Sequence, residues 1–221
     1  MTASAHPDRK ALARIGATVR ERLAGDPSAR RLPEDRAELY VIDDFLTMPE
    51  CTRLISLIDA VACPSSLIDG ADWPDYRTSY SGDLDAMDES VQRLDVRISA
   101  VTGIALGWGE AAQGQRYRCG QFFHEHCDWF DTGSSYWSDE RRCGGQRSWT
   151  AMLYLNAVEE GGTTDFTRVA LTIPPRAGAL LLWNNALTDG TPNPWTMHAA
   201  RPVVRGVKYV VTKWFRTRNW R

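Results

Sequence analysis

A chain of 221 residues, 43% hydrophobic and 24% charged with a formal net charge of -2, has the composition of an ordinary globular domain, which excludes wholesale disorder and argues against a dedicated polyanion binder. Its length suits a single domain, residues 1–221, with a full hydrophobic core. The five cysteines form no C-x-x-C pair, and there is neither a signal-peptide core nor an apolar run of the roughly 20 residues that span a bilayer, so the expectation is a cytoplasmic protein with no membrane partner.

In chain order, residues 10–24 place Leu12, Ile15, Val19 and Leu23 at helical spacing, and the breaker-rich "GDPSARRLPED" follows; residues 1–36 therefore read as an N-terminal helix and connector. Residues 37–112 read as supporting elements. "ELYVIDDFL" predicts a short strand. "TMPECTRLISLIDAVA" predicts a helix capped by Thr47, with a proline in its first turn and Leu54, Ile55 and Ile58 on one face. Residues 63–89 are acidic and turn-rich, which predicts a long surface loop, and "SVQRLDVRISAVTGI" resumes helical spacing. From 113 to 217 the texture changes to short β-rich segments separated by Gly, Pro, Asn and Asp clusters. That pattern predicts a sandwich or jelly-roll barrel core, and the whole an α+β fold.

"GQFFHEHCDWF" (120–130) places His124, His126 and Asp128 on alternate positions, which share a face if the stretch is a strand. The remaining histidines are His6 and His198, and a barrel can bring His198 beside this segment. Two histidines and one carboxylate on one face of a metal are the ligand set of non-haem ferrous iron oxygenases. His126, Asp128 and His198 are the favoured set. By itself an H-x-D is more often an ordinary histidine and a turn aspartate, and His124 offers an H-x-H that a cupin-like site could use.

Taken together, "YRCGQFFHEHCD", "GGQRSWTAMLYLN", "VEEGGTTDF" and "MHAARPVVRGVKYVVTKWFR", preceded by "YVIDDFLTMPECTRLI" and the "RTS" at 77–79, resemble the prolyl 4-hydroxylase-like dioxygenases over roughly residues 38–216. The resemblance implies a double-stranded β-helix (jelly-roll barrel) with supporting N-terminal helices. It implies Fe(II) held by His126, Asp128 and His198, with 2-oxoglutarate and dioxygen as cosubstrates and ascorbate as a candidate reductant. Lys208 would pair with the distal carboxylate of 2-oxoglutarate, assisted by Thr164, with Tyr117 near the cosubstrate. Arg147 would contact a peptide, Trp214 would wall the substrate pocket, and His124 would lie at the mouth of the site. The implied reaction is hydroxylation of an unactivated C–H bond of a prolyl residue in a peptide or protein, with a free amino acid or small metabolite as the runner-up substrate.

The hairpin around Gly206 offers a geometric check. A three-residue loop Val204–Arg205–Gly206 with a left-handed glycine pairs Val203 with Val207 and His198 with Thr212, which turns both His198 and Lys208 inward. Two irregular segments, 78–90 and 131–147, are expected to serve as lids. Seven basic residues between 201 and 221, with no acidic ones, keep nucleic acid as a minor alternative partner. A cupin of another reaction class and a non-catalytic barrel module complete the alternatives; oligomeric state is not legible.

Overall fold

The computed structural model of the protein describes residues 7–67 and 75–220. Helix α1 (Arg9–Gly25) buries Leu12, Ile15, Val19 and Leu23, as their spacing requires. Strands β1 (Ala29–Arg31) and β2 (Leu39–Ile42) follow. Helix α2 (Met48–Val61) begins in a capping box: the Thr47 hydroxyl accepts from the Glu50 amide and the Glu50 carboxylate accepts from the Thr47 amide. Residues 63–89 are not one loop, since they contain β3 (Cys63–Pro64) and β4 (Tyr80–Asp83) ahead of α3 (Glu89–Thr102). The sequence "YSGD" has no apolar alternation to announce a strand; β4 exists because β5 (Gln113–Tyr117) supplies its ladder, Tyr80 opposite Arg116 to Asp83 opposite Gln113. The candidate lid at 78–90 is thereby stitched into a sheet. After β6 (Phe123–His126), the other candidate lid carries a short helix, α4 (Trp137–Arg142). The remaining strands are β7 (Arg147–Tyr154), β8 (Glu160–Gly161), β9 (Thr164–Phe166), β10 (Leu171–Ile173), β11 (Leu180–Asn184), β12 (His198–Ala200), β13 (Val203–Arg205) and β14 (Lys208–Arg216).

Among the described residues the strands form an eight-stranded sheet, β1-β2-β11-β7-β14-β5-β4-β3, a four-stranded sheet, β10-β9-β12-β6, and a two-stranded ribbon, β13-β8. All ladders are antiparallel. Period-two alternation divides the apolar residues of the larger sheet between two cores. Trp149, Ala151 and Leu153 of β7, Leu180 and Leu182 of β11, and Val211 and Phe215 of β14 pack against α1, α2 and α3. Met152, Tyr154, Leu181, Trp183 and Val210 face the other way, toward Phe166 of the smaller sheet. Helix α2 reaches the sheet at Gly114, where a Cβ would lie 2.4 Å from the Ile58 side chain, so only glycine admits that approach. The two sheets therefore face each other as the walls of a jelly-roll barrel, with the helices outside supporting the larger wall.

The expected hairpin does not form. Gly206 is left-handed (φ 96°), but β13 pairs with β8 while β14 pairs with β5 and β7. His198 and Lys208 reach a common interior from opposite walls, because a barrel brings together faces that a local hairpin register does not describe.

Candidate active site

The strands β6 and β12 are neighbours, with His126 directly opposite His198 and the ring centroids 4.2 Å apart. Each ring spends its Nδ1 on a backbone carbonyl, His126 on His124 O at 2.8 Å and His198 on Thr196 O at 2.9 Å. That pairing puts the proton on Nδ1 and leaves the Nε2 lone pair to a metal. Asp128 lies just past the end of β6. Its Oδ2 accepts from the Thr150 hydroxyl at 2.7 Å, and Thr150 Oγ1 in turn accepts from Asn185 Nδ2 at 2.9 Å. Its Oδ1 is 3.9 Å from His126 Nε2, and ligand atoms of His126, Asp128 and His198 all lie within 4.8 Å of one another.

Burial, with His198 alongside, pushes the His126 imidazole down to about 3. Burial alone would raise the Asp128 carboxyl, but His198, His126, Arg147 and the Thr150 hydroxyl together hold it below its ordinary value. A neutral imidazole and an ionised carboxylate are the states a divalent metal requires of its ligands. The donor set, two imidazoles and one carboxylate, fits ferrous iron.

His124 is not part of this cluster. It is exposed, with its ring against Tyr76 at 5.6 Å and Phe122 at 4.9 Å. The expected alternation of 124, 126 and 128 fails because β6 carries one extra residue: Ala200 lies opposite Phe123 and His198 opposite His126, so His124 and Glu125 on β6 stand against Ala199 alone on β12. The bulge puts Phe123 and His126 on one face, where their rings stack at 3.8 Å, and turns His124 outward. An H-x-H metal site is thereby excluded.

A cavity of about 680 Å³ runs from His126, Asp128 and His198 between the two sheets. At its inner end lies Lys208, 1% exposed, whose ammonium donates to Thr164 Oγ1 at 3.2 Å and sits 5.4 Å from the Tyr117 ring centroid and 5.6 Å from that of Tyr154. No carboxylate of the described residues reaches ion-pair distance of it. Burial pushes its amine down to about 7. Thr164 also accepts from the Tyr154 hydroxyl at 2.9 Å, and the buried Tyr117 donates to Gln115 Oε1 at 2.9 Å. A buried cation without an anion, in the same cavity as the His–Asp–His set, fits a ligand that carries a carboxylate.

Toward the mouth, Arg147 is half-buried, its side chain 15% exposed. Its guanidinium forks onto Glu110, 2.6 and 2.8 Å, and lies 4.1 Å from the Trp214 ring centroid and 4.7 Å from that of Phe130. Trp214 shares the inward face of β14 with Lys208 and lines the cavity. Opposite them Arg77 donates to Ser79 Oγ at 3.1 Å and Gln113 Oε1 at 3.0 Å, stacks over Phe123, and has no described carboxylate partner. Sequence reading missed three participants. Arg77 stood in the noted "RTS" without a role, Thr150 lay inside an apolar strand, and Glu110 carries no local signal at all.

The comparisons agree with this geometry. The 2OG-Fe(II) oxygenase superfamily description matches residues 112–216. Prolyl 4-hydroxylase 5 of Arabidopsis thaliana is 33% identical over 215 residues, 85% of this chain and 70% of that protein; probable prolyl 4-hydroxylase 10 of the same plant is 31% identical over 214 residues, 85% and 71%. The chain belongs to the prolyl 4-hydroxylase-like 2-oxoglutarate- and Fe(II)-dependent oxygenases. Among solved structures, this oxygenase resembles the viral collagen prolyl hydroxylase of Paramecium Bursaria Chlorella virus-1 in its 2OG complex, at 26% identity and TM-score 0.60, over 80% of this chain and 94% of that one. A Trichoplax adhaerens prolyl hydroxylase in complex with a hypoxia inducible factor peptide fragment shares the fold, with TM-score 0.64 at 16% identity over 98% and 94% of the two chains. The oxygenase uses Fe(II), 2-oxoglutarate and dioxygen, and the donor set and the unpaired lysine described above suit the first two.

Proposed function

We propose that the protein hydroxylates a prolyl residue within an extended peptide, with His126, Asp128 and His198 holding the iron and Lys208 and Thr164 holding the distal carboxylate of 2-oxoglutarate. Iron, 2-oxoglutarate and dioxygen together supply an oxidation that inserts one oxygen atom into a C–H bond while 2-oxoglutarate becomes succinate and carbon dioxide.

The chain's own residues bind, orient and exclude water. The Nδ1 bonds to His124 and Thr196 fix both imidazoles, and Thr150 holds the far oxygen of Asp128, so the ligands are set before metal arrives. Met152, Trp183 and Val210 line the cavity beside Lys208 and keep bulk water from the carboxylate pair. Phe123, stacked on His126, presents an apolar ring beside the His–Asp–His set.

The observation that carries the peptide assignment is the mouth. It presents a half-buried guanidinium at Arg77, a second at Arg147 clamped by Glu110, and the Trp214 indole, whose buried N–H finds no acceptor among the described residues. Hydrogen-bond donors spread along an aromatic wall suit the carbonyls of an extended chain and a proline ring, and they exceed what one free amino acid can engage. Names of relatives and neighbours, prolyl 4-hydroxylases and a viral collagen prolyl hydroxylase, point the same way. The five described basic residues of the C-terminal run other than Lys208 are paired: Arg201 with Asp165, Arg205 with Glu159, Lys213 with Asp95, Arg216 with Glu110 and Glu140, Arg218 with Asp8. They do not form a stripe of open cations for phosphates.

Mass spectrometry on a panel of proline-containing peptides and free proline, incubated with Fe(II), 2-oxoglutarate and ascorbate, tests the proposal. A gain of one oxygen on a prolyl residue of a peptide is expected. Oxidation of free proline with every peptide untouched overturns it.

A further inference from the structure

Four charged side chains knit the mouth together in a way that neither iron nor 2-oxoglutarate requires. Glu110, in the segment before β5, accepts the fork of Arg147 and also forms an ion pair with Arg216, 2.6 Å from Nε, although the Nε–H is not aimed at it as a hydrogen bond. Arg216, the last residue of β14, has a side chain only 3% exposed, and its other two nitrogens go elsewhere: Nη1 donates to Gly145 O at 2.5 Å, and Nη2 pairs with Glu140 of α4. Its guanidinium carbon stands 4.5 Å from the Phe130 ring centroid, and that of Arg147 stands 4.7 Å from the same ring. One buried guanidinium thus joins three pieces of chain: the segment that bears Glu110, helix α4, and the Gly144–Gly145 corner after it.

Those pieces border one segment. Residues 129–146 begin next to the metal ligand Asp128 and end next to Arg147, and Tyr136, at the head of α4, lines the cavity. The two arginines and two glutamates balance in charge, so each depends on the others for its burial.

We infer that Arg216 is a positioning residue: it orients Glu110, and through it Arg147, while latching α4 against the mouth, so that the peptide end of the cavity and its flanking segment are set as one unit. This rests on the peptide reading given above. Lysine, a single point charge, cannot keep the ion pairs to Glu110 and Glu140 and the bond to Gly145 O at once, and Glu140→Ala removes one anchor without touching a residue of the site.

The test compares full-length wild type with Arg216→Lys and Glu140→Ala in two arms. In kinetics with a hydroxylated peptide, Arg216→Lys is expected to raise the peptide KM by about tenfold while the 2-oxoglutarate KM moves by less than about twofold; Glu140→Ala follows in the same direction to a smaller extent. In the second arm, with Fe(II) and 2-oxoglutarate but no peptide, at a temperature where each protein is fully folded, trypsin cleavage after the exposed Arg141 and Arg142 is expected to accelerate in both variants. Unchanged cleavage at these two bonds in both variants, or a 2-oxoglutarate KM that rises in parallel with the peptide KM, overturns the inference. Failure of wild type to oxidise any peptide would instead defeat the peptide reading, and the proteolysis arm still decides whether Arg216 is a latch.

Discussion

At the scale of single residues, two histidines two positions apart have opposite fates, and the cause is identifiable. His126 keeps its Nε2 free by giving Nδ1 to a carbonyl, whereas His124 is turned outward by the bulge in β6. Replacing His126, Asp128 or His198 singly by Ala is expected to abolish 2-oxoglutarate turnover and weaken iron binding, and His124→Ala to retain most of both; iron retention in an anaerobic titration separates them. Lys208 makes a pH prediction. Its amine, pushed down from 10.5 to about 7 by burial, has lost its proton above that pH, yet the distal carboxylate of 2-oxoglutarate pairs only with the ammonium, so binding takes up a proton. Calorimetric affinity for 2-oxoglutarate should therefore be flat below pH 7 and fall by up to about tenfold per pH unit above it. Stability of the ligand-free protein runs the other way. Between about 7 and 10.5 the unfolded chain holds a proton that the folded one has shed, so this residue's contribution to stability rises with pH across that window. Lys208→Met should erase both slopes and weaken 2-oxoglutarate by about 2–4 kcal/mol, the cost of leaving a desolvated carboxylate unpaired.

At the scale of elements, the site is aimed by two irregularities, each one residue long. The bulge in β6 puts Phe123 and His126 together; in β7 the register slips between Phe215, opposite Trp149, and Arg216, opposite Arg147, and Arg147 lines the cavity as a result. Strand parity read from sequence assumes that no residue is inserted, so it placed His124 on the wrong face and could say nothing about Arg147. Where the periodicity runs unbroken the sequence was informative: α1 and the capped α2 both appear as their spacing indicated. Features that depend on a partner distant in sequence were not legible, among them β4, whose "YSGD" is a strand only because β5 lies beside it, and Glu110, which matters only because Arg147 and Arg216 converge on it. The support that β7 would give to a metal held by Asp128 is testable, since Thr150 bonds Asp128 from the strand's inner face. Thr150→Val, similar in volume, should lower iron affinity by about 10–100-fold while the far-UV circular dichroism stays native. Leu153→Ala, on the opposite face toward the helices, should cost about 2–5 kcal/mol in denaturant unfolding and leave iron affinity alone.

At the scale of the whole molecule, the division into two cores separates stability from chemistry. Helices α1 to α3 bury their apolar faces on one side of the larger sheet, and the other side faces the smaller sheet across the cavity, apolar around Lys208 and charged at the mouth. A rigid wall held from behind lets the interior carry a buried unpaired lysine and a metal-ligand cluster, both of which cost stability in the ligand-free state. The most direct measurement follows the label from dioxygen. With a proline-containing peptide, Fe(II), 2-oxoglutarate and ¹⁸O₂, mass spectrometry should find one ¹⁸O atom on a prolyl residue and one in succinate, in equal amounts, and neither with the Asp128→Ala protein. Succinate formed without label in any peptide across the panel, or peptide oxidation that persists in Asp128→Ala, would contradict the assignment of this cavity as a peptidyl-proline hydroxylation site.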